Sequence, residues 1–554
     1  MRAWILTIAV LVLLVANLAA ALAVNLWTKF FFDALEQKDT RTVLLSIGLA
    51  LILAVLSGAS FVGGLHARMR LQVRWRQWLT RTLIKRWLAD RHFYQLSVLA
   101  KEADNPEARI AEDGRIAIEL LVDLSLGVLN AVLAAVSFIS ILWVVGGSLT
   151  VFGYTIPGYM VLSCIIYSAI TSLGMFLMGR PLVRRVEEKS AGEAQLRYEL
   201  TRVKDNAEII ALMGGDDHER GRLDVTLSDL VHRWLLVITW QGRMNWLIGS
   251  NLILATTVPL LLGAPKYLAD EMTLGSLMQA ATAFMQVQVA LNWLSDNALR
   301  LADWFSSSHR VTQLTDAIDC VEESLGSLSQ AGAISLGVSP DDRMHLRQLK
   351  IALRDGELVI DGAEAIILPG EKVLIKADGE TDKSAFIRAV AGLWPWGSGQ
   401  VLRPKGASIA FISQRPYLPL GTLRTALLYP DRGHEVSEES IRDALTRCGL
   451  GQLIPRLDET DQWTSRLSSS EQQRFAFART LVNPPDILIM DEPTSALDEL
   501  SQFKLMEYMR DLLPGTMVIH AGHGAGLKQF HDRELALIRL YREVPPARDA
   551  IAMR

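Results

Sequence analysis

Hydrophobic residues fall into long runs in the first half of the chain and short runs in the second half. Six runs have roughly the 20 residues that a helix needs to cross the ~30 Å hydrocarbon core of a bilayer. We predict spans at Trp4–Leu26, Val43–Leu65, Leu124–Val145, Pro157–Leu177, Leu247–Leu262 (less sharply defined) and Leu274–Leu294. The first run lacks an obvious small-residue cleavage site, so we interpret it as a retained span rather than a signal peptide.

Two segments between the spans, Arg68–Leu99 and Arg180–Trp234, mix charges with apolar residues at three- and four-residue spacing. This pattern predicts amphipathic helices that continue out of the bilayer, although a basic helix lying on the membrane surface is an alternative. The first segment is rich in Arg, whereas the connection 146–156 carries no charge. Because positive charge is retained on the cytoplasmic side, we place the N-terminus and both segments in the cytoplasm.

The second half of the chain has a different pattern. Residues 306–342 are rich in Ser, Gly, Asp and Glu, and we predict a linker there. Beyond it, short strand-like runs at Lys372–Lys376, Ser408–Ile412, Ile487–Met490 and Met517–His520 alternate with helical stretches. We therefore predict an all-α transmembrane domain of six helices (1–305), the linker, and a soluble α/β nucleotide-binding domain (343–554).

Composition adds little to this division. The chain has 554 residues, 50% of them hydrophobic, and a formal net charge of -4, which gives no reason to expect a nucleic-acid partner. Its three cysteines are far apart, so we predict no disulfide framework or metal site from them.

A candidate phosphate-binding loop follows the predicted strand Leu374–Lys376 and precedes a helix that we predict over Lys383–Ala391. We expect the Lys383 ammonium to contact the β and γ phosphates of ATP and the Ser384 hydroxyl to bind Mg²⁺. The whole loop is assigned to nucleotide binding and comprises Ala377, Asp378, Gly379, Glu380, Thr381, Asp382, Lys383 and Ser384.

This loop departs from the usual glycine pattern at three positions. Ala377, Glu380 and Asp382 stand where glycines allow unusual backbone dihedrals and close approach to phosphate oxygens. A carboxylate at ~4 Å from a phosphate costs on the order of 1 to 4 kcal/mol even when screened. We therefore expect weakened nucleotide binding.

Carboxylates suited to the same chemistry follow the apolar run Ile487–Met490. We expect Asp491 to bind Mg²⁺ and Glu492 to act as the base or to orient the attacking water. Gln414, just after another predicted strand, is expected to touch the metal.

The order of these motifs resembles an ATP-binding cassette (ABC) transporter with membrane and nucleotide domains fused. More narrowly, the chain is similar to the branch with YddA-like proteins and peroxisomal acyl-CoA transporters, and its membrane half resembles the SbmA/BacA permeases. The segments that carry this resemblance are Asp104–Asp113, Gly179–Val183, Asn206–Leu212, Ala391–Gly397 and Gln414–Leu423.

The resemblance implies further roles for residues of this chain. Ser468, Ser469, Ser470 and Glu471 match the signature that contacts ATP from the opposite subunit, with serines in place of two glycines. Asp498 would lie at the subunit junction, and His523 would contact the γ phosphate. The implied assembly is a homodimer, or a heterodimer with a related half-transporter, in the bacterial inner membrane.

Two functions remain open at this point. The first is an ATP-driven transporter that moves a peptide or other amphipathic solute by alternating access, with hydrolysis impaired by the altered loop. The second is a proton-coupled uptake permease whose nucleotide domain is vestigial. Glu119 and Asp123, at the inner end of the third span, would bind a cationic substrate or a proton, or simply pair with Arg115 or solvent.

Overall fold

The computed structural model describes residues 2–99, 105–151, 154–330, 333–352, 358–377, 380–394, 396–430, 433, 436–522 and 525–537. The chain divides into two compact units, which meet in sequence between Ile318 and Asp319. We call them the membrane unit and the nucleotide unit.

The membrane unit is almost entirely helical. Its helices are α1 Arg2–Glu36, α2 Thr40–Leu88, α3 His92–Leu99, α4 Pro106–Ala108, α5 Gly114–Gly146, α6 Tyr159–Asp205, α7 Ala207–Met213, α8 Asp216–Leu268, α9 Leu274–Asp296 and α10 Ala298–Gln330. A 3₁₀ turn at Ala89–Arg91 joins α2 to α3, and a π-helical turn at Arg109–Asp113 joins α4 to α5. The strands β1 Ser148–Val151 and β2 Tyr154–Pro157 pair as an antiparallel hairpin.

The predicted transmembrane domain is confirmed. Among the described residues, five helical segments are long and apolar enough to cross a membrane, and they match the first five predicted spans, although the fourth begins at Tyr159 rather than at Pro157. The sixth predicted span corresponds to α9, which is more polar than the other spans because it contains Gln279, Gln288 and Asn292. All three side chains are buried. α9 packs against α1, α5, α6 and α8, so these polar groups face other helices rather than lipid.

Several helices extend well past the predicted ends of the spans. α2 runs without interruption through Arg68 to Leu88, α6 continues to Asp205, and α8 begins at Asp216. The two charged segments are therefore continuous with the membrane helices, as their three- and four-residue apolar spacing indicated.

Most of the predicted linker is helical. Residues 306–330 belong to α10, where Leu314, Ile318 and Val321 are buried at helical spacing. The division between the units falls inside the 306–342 segment, and the exact domain bounds stay a prediction.

The nucleotide unit combines strands and helices. Its strands are β3 Ser335–Val338, β4 Met344–Ala352, β5 Leu358–Ile367, β6 Lys372–Ala377, β7 Gly397–Arg403, β8 Ile409–Ile412, β9 Gly421–Thr422, β10 Thr460–Asp461, β11 Ile487–Asp491, β12 Met517–Ala521 and β13 Arg533–Leu537. Its helices are α11 Glu380–Ala391, α12 Leu423–Leu428, α13 Glu438–Arg447, α14 Trp463–Arg466, α15 Ser469–Val482 and α16 Glu499–Leu512, with 3₁₀ turns at Gly451–Arg456 and Ala525–Phe530.

A parallel sheet organises this unit. Its strand order is β13-β6-β12-β11-β8, and every neighbouring pair is parallel. A second sheet has the order β3-β7-β4-β5, and β9 pairs with β10. The residues of β11 before Asp491 are all buried, as expected for a parallel strand covered on both faces. Because the strands run the same way, the carboxyl ends of β6, β8, β11 and β12 share one edge, where open α/β sheets bind ligands.

Candidate functional site

Two carboxylates close the carboxyl end of β11. Asp491 lies beside Ala521 of β12, and the Glu492 backbone N–H donates to the Ala521 carbonyl at 2.9 Å. Glu492 has a φ of 45°, in the left-handed region that costs a non-glycine residue about 1 to 3 kcal/mol. This hydrogen bond between the strand ends holds the backbone of Glu492 in place, and the backbone fixes the direction in which the side chain leaves the end of β11.

A cavity of about 160 Å³ lies beside these carboxylates. It is lined by Lys383, Ser384, Gln414, Asp491 and Glu492, which come from α11, the segment after β8, and the end of β11. Lys383 is only 3% exposed, so its ammonium group is placed within the unit rather than in solvent.

The donor set of this cavity fits a triphosphate with its metal. An ammonium group suits phosphate oxygens, and hydroxyl, amide and carboxylate oxygens are the ligands that Mg²⁺ prefers. The described residues contain no group of three His, Cys, Asp or Glu side chains placed to hold a metal. A cation here would therefore rely on the oxygens of Ser384, Gln414 and Asp491.

The phosphate loop differs from its prediction in one respect. β6 ends at Ala377 as expected, but α11 begins at Glu380 rather than at Lys383. Glu380, Thr381 and Asp382 thus form the first helical turn, where acidic residues are favoured by the helix dipole and glycine would be disfavoured. Asp378, Gly379 and His523 lie outside the described residues.

Gln473 connects parts of the site and was not predicted as a functional residue. It lies on α15 with no exposed surface, and its Nε2 donates to the Gln414 carbonyl at 2.9 Å and to Ser495 Oγ at 3.0 Å. Its Oε1 accepts from the Ala496 N–H at 3.0 Å. One amide therefore fixes the backbone of Gln414 and the turn that follows Glu492. The sequence signal that could have found it is a glutamine that follows the Ser468–Glu471 segment and shortly precedes the apolar stretch Phe475–Ala478.

The serine segment forms the start of α15. The Ser468 N–H and hydroxyl donate to Glu471 Oε2 at 3.0 and 2.9 Å, and the Glu471 N–H donates to Ser468 Oγ at 3.3 Å. This capping box lowers the pKa of Glu471, chiefly through the Ser468 backbone N–H. Ser469 and Ser470 open the first turn, and Arg474 donates to Ser470 Oγ at 3.1 Å.

Asp498 has a similar position at the start of α16. Its side chain accepts from the Ser501 N–H at 3.2 Å, and hydrogen bonds from Ser501 lower the pKa of its carboxyl group. Neither Asp498 nor the Ser468–Glu471 segment lines the 160 Å³ cavity. The structure therefore brings together five of the predicted site residues within one chain and leaves the two helix starts outside the group.

A second cavity, of about 340 Å³, lies inside the membrane unit between α1, α2, α5 and α9 and the start of α10. At its polar end Asp123 lies 3.5 Å from Arg68 Nε, 2.7 Å from Arg300 Nη2 and 2.7 Å from Gln72 Nε2. Glu119 instead pairs with Arg115 at 2.9 Å, as the plainer of the two sequence interpretations predicted.

The walls of this membrane cavity are mostly apolar, with Asn17 and Asn130 among them. Trp293 of α9 forms part of the wall because Gly127 of α5 lets it approach. A Cβ at Gly127 would lie 2.8 Å from the Trp293 ring, closer than packed atoms allow. With two arginines around one carboxylate, the polar end carries an excess positive charge.

Both halves of the chain match known protein families. Residues 1–268 match the ABC transporter transmembrane region 2, and residues 371–495 match the ABC transporter family of nucleotide-binding domains. The second match contains α11, β8 and β11, whose residues or following segments line the 160 Å³ cavity, which we call the nucleotide cavity.

Similar proteins extend over nearly the whole chain. An uncharacterized ABC transporter ATP-binding protein of Haemophilus influenzae is 31% identical over 84% of this chain and 77% of its own length. The inner membrane ABC transporter ATP-binding protein YddA of Escherichia coli is 28% identical, with 95% and 93% covered. The human lysosomal cobalamin transporter ABCD4 is 26% identical, with 92% and 87% covered.

Among solved structures, a bacterial Atm1-family ABC exporter with ATP bound matches with a TM-score of 0.68 and 17% identity. The alignment covers 96% of this chain and 93% of that chain. At this identity the likeness shows the fold.

Proposed function

This chain belongs to the ABC transporter family, and from that premise we propose that it is a half-transporter whose weakly active nucleotide site drives movement of an amphipathic solute. It is a multi-pass membrane protein with an exporter-type fold. One membrane unit and one nucleotide unit in a single chain imply a dimer, and we propose a homodimer.

The observation that carries the proposal is the convergence of Lys383, Ser384, Gln414, Asp491 and Glu492 on one small cavity. When bound there, MgATP supplies a phosphoanhydride bond whose cleavage releases the free energy for transport. Lys383 would bind the terminal phosphates, and Ser384, Gln414 and Asp491 would hold the metal. Glu492 would orient the attacking water and take its proton.

The positions of the α15 and α16 N-termini support a nucleotide site that is shared between two subunits. Ser468–Glu471 and Asp498 lie outside the cavity of their own chain, which is consistent with their acting on the nucleotide of a second copy. The first N–H groups of a helix lack partners within the helix, and although Ser468 caps the Glu471 N–H of α15, those of Ser469 and Ser470 would suit a phosphate. A homodimer would contain two identical sites of this kind.

The altered phosphate loop supports slow turnover. Ala377, Glu380 and Asp382 replace glycines, and the helix that begins at Glu380 leaves fewer loop residues to wrap around a phosphate. We therefore expect weak nucleotide affinity and a low rate of hydrolysis.

The membrane cavity supports an amphipathic substrate, for which a peptide is one candidate. Its apolar walls suit hydrocarbon groups, the amides of Asn17 and Asn130 suit polar ones, and the arginines beside Asp123 suit an anionic end. None of these features specifies a single compound, so the substrate is assigned only by chemical class.

Phosphate release by the purified protein in lipid tests the proposal. The wild type should hydrolyse ATP slowly, and Glu492→Gln should reduce the rate by about 100-fold or more, the usual contribution of a general base. Glu439→Gln provides a matched control, because Glu439 is exposed on α13 and away from the cavity. Equal rates in the wild type and Glu492→Gln would exclude a catalytic nucleotide site.

Uptake into vesicles separates this function from the proton-coupled alternative. ATP-dependent transport in proton-leaky vesicles supports the ABC mechanism. Transport that needs a proton gradient and survives Lys383→Ala contradicts it.

A further inference from the structure

An open groove of about 790 Å³ lies between the first turns of α1 and the middle of α2. Three basic side chains on one face of α2 line it, His66, Arg70 and Arg74. Their four-residue spacing places them on successive turns, about 12 Å from first to last along the axis.

The groove lies at the level where α2 leaves the hydrocarbon. The apolar run of the second span ends at Leu65, directly before His66, and α2 continues without a break. The headgroup layer of a bilayer occupies the next ~5 to 8 Å on each side. At 1.5 Å per residue, His66 and Arg70 lie about 2 and 8 Å beyond Leu65, at the depth of lipid phosphates. Arg74 lies about 14 Å beyond Leu65, and its long side chain leans back toward this layer because helical side chains tilt toward the helix N-terminus. The charge pattern assigns this side of the membrane to the cytoplasm.

The remaining lining of the groove is apolar, and most of it is exposed. Ile5 is 61%, Met69 54% and Val73 65% exposed. Trp4, which is 74% exposed beside the groove, suits the membrane interface. Apolar and cationic surfaces thus lie side by side, the complement of an anionic headgroup and its acyl chain.

The charges of this groove are not balanced within the described part of the chain. Arg70 and Arg74 form no ion pair with any described residue. By contrast, Arg68, on the opposite side of the same helix turn, pairs with Asp123. The two groove arginines are therefore available to an anionic ligand.

We propose that the groove binds an anionic phospholipid of the cytoplasmic leaflet. The lipid phosphate lies between Arg70 and Arg74, and an acyl chain covers Ile5, Met69 and Val73. Arginine suits this role because its planar guanidinium group donates two parallel hydrogen bonds to phosphate oxygens. The site is separate from both the nucleotide cavity and the membrane cavity.

Lipid titration with native mass spectrometry of the delipidated, full-length protein tests this site. The probes are dioleoyl-phosphatidylglycerol and dioleoyl-phosphatidylcholine, which share their acyl chains and differ in net charge. We expect the wild type to prefer phosphatidylglycerol by about 10- to 30-fold, as two arginines near a membrane surface provide. Inorganic phosphate at the same concentrations should leave no adduct, because the acyl chain contributes to binding.

A matched pair of variants locates the site. Arg70→Gln with Arg74→Gln should abolish the preference for phosphatidylglycerol, whereas Arg70→Lys with Arg74→Lys should retain part of it. Arg76→Gln with Arg81→Gln removes the same charge from residues of α2 that do not line the groove, and it should leave the preference unchanged. Equal losses in both glutamine pairs would overturn the site, because they would indicate general attraction to a basic helix.

Labelling of the wild-type protein gives a test that does not depend on how the variants fold. A phosphatidylglycerol with a diazirine in its acyl chain should label peptides that contain residues 4–6 and 66–74. No preference for phosphatidylglycerol over phosphatidylcholine, or labelling confined to other helices, would contradict the proposal.

Discussion

The nucleotide unit and the membrane unit use polar residues in different ways. In the nucleotide unit the polar residues gather at the carboxyl edge of one sheet around a 160 Å³ cavity. In the membrane unit they are spread along α9, where Gln279 bonds Asn25 of α1, Gln288 bonds Asn251 of α8, and Asn292 bonds Ser172 of α6. The first arrangement leaves polar atoms facing a cavity, whereas the second joins them in pairs.

The difference follows from the solvent around each unit. At the edge of a water-exposed sheet, polar side chains can remain available to a ligand because water solvates them. Within a bilayer no water is present, so amides must find partners on neighbouring helices. We infer that the strand-end residues serve ligand binding and that the amides of α9 serve helix packing.

Restoring glycine in the phosphate loop should give the largest effect, and it tests whether the altered loop limits ATP binding by the nucleotide unit. Ala377→Gly, Glu380→Gly and Asp382→Gly together should tighten ATP binding by about tenfold or more, since two carboxylates leave the neighbourhood of a triphosphate. Equilibrium binding of a fluorescent ATP analogue measures the gain.

Two partial variants separate charge from backbone freedom in that experiment. Glu380→Gln with Asp382→Asn removes the charges but keeps the side chains, and Ala377→Gly alone changes only backbone freedom. If restoring all three glycines leaves the ATP affinity unchanged, the altered loop does not limit ATP binding, and the expected weak nucleotide affinity has no structural cause in this loop.

Gln473→Leu should have the next largest effect, because it leaves the Gln414 carbonyl, Ser495 hydroxyl and Ala496 N–H without their buried partner. Each such loss costs about 1 to 3 kcal/mol. Amide hydrogen exchange in α15 and in residues 491–497 should accelerate by about tenfold or more.

Gln472→Leu is the control for this prediction. Its side chain donates to the carbonyls of Thr464 and Leu467, the first of which is exposed to solvent. Exchange that is as fast in Gln472→Leu as in Gln473→Leu would mean that Gln473 has no special role in holding the site.

Ser468→Ala should destabilise the start of α15 by about 1 kcal/mol, the usual value of an N-cap. Ser468 also holds the pKa of Glu471 below its ordinary value of 4.5. A carboxyl group with a lowered pKa adds stability above its unfolded value and loses that stability as the pH falls through its folded value. Protection of α15 from hydrogen exchange should therefore decline below about pH 4.5. It should decline slightly less in Ser468→Ala, which loses the hydroxyl but keeps the backbone N–H that chiefly lowers the pKa of Glu471. Identical pH profiles would mean that the Ser468 hydroxyl does not contribute to the lowered pKa.

Motifs within a short stretch of chain made much of the nucleotide unit predictable. The strands β6, β8, β11 and β12 lie where apolar runs indicated, and Asp491 and Glu492 lie at the end of β11. Parallel pairing then brings residues as distant as Lys383 and Glu492 to one edge, which spacing alone does not reveal. The early start of α11 was missed because the prediction used the usual glycine pattern, and three of those glycines are absent here.

The membrane unit was predictable only at the level of its spans. Apolar length identified the helices, but the partners of the α9 amides depend on which helix faces of a bundle meet. Asn25 and Gln279, for example, are 254 positions apart and hydrogen-bond only because α1 packs against α9. The linker predicted from composition over 306–342 missed the helical part of α10, whose Leu314, Ile318 and Val321 are buried at helical spacing.

Gln288→Leu should have the smallest effect, and it tests most directly whether the α9 amides serve helix packing rather than ligand binding. It removes the hydrogen bond from Gln288 Nε2 to Asn251 Oδ1, but Asn251 Oδ1 still accepts from the Tyr167 hydroxyl at 2.6 Å. Hydrogen bonds between membrane helices contribute about 0.6 kcal/mol on average, so we expect a small loss in thermal stability and an unchanged rate of ATP hydrolysis. Gln286→Leu, which replaces an exposed amide on the same helix, is the control. If Gln288→Leu instead abolishes transport while the protein keeps its stability, the α9 amides contact the solute, and polar residues serve ligand binding in both units.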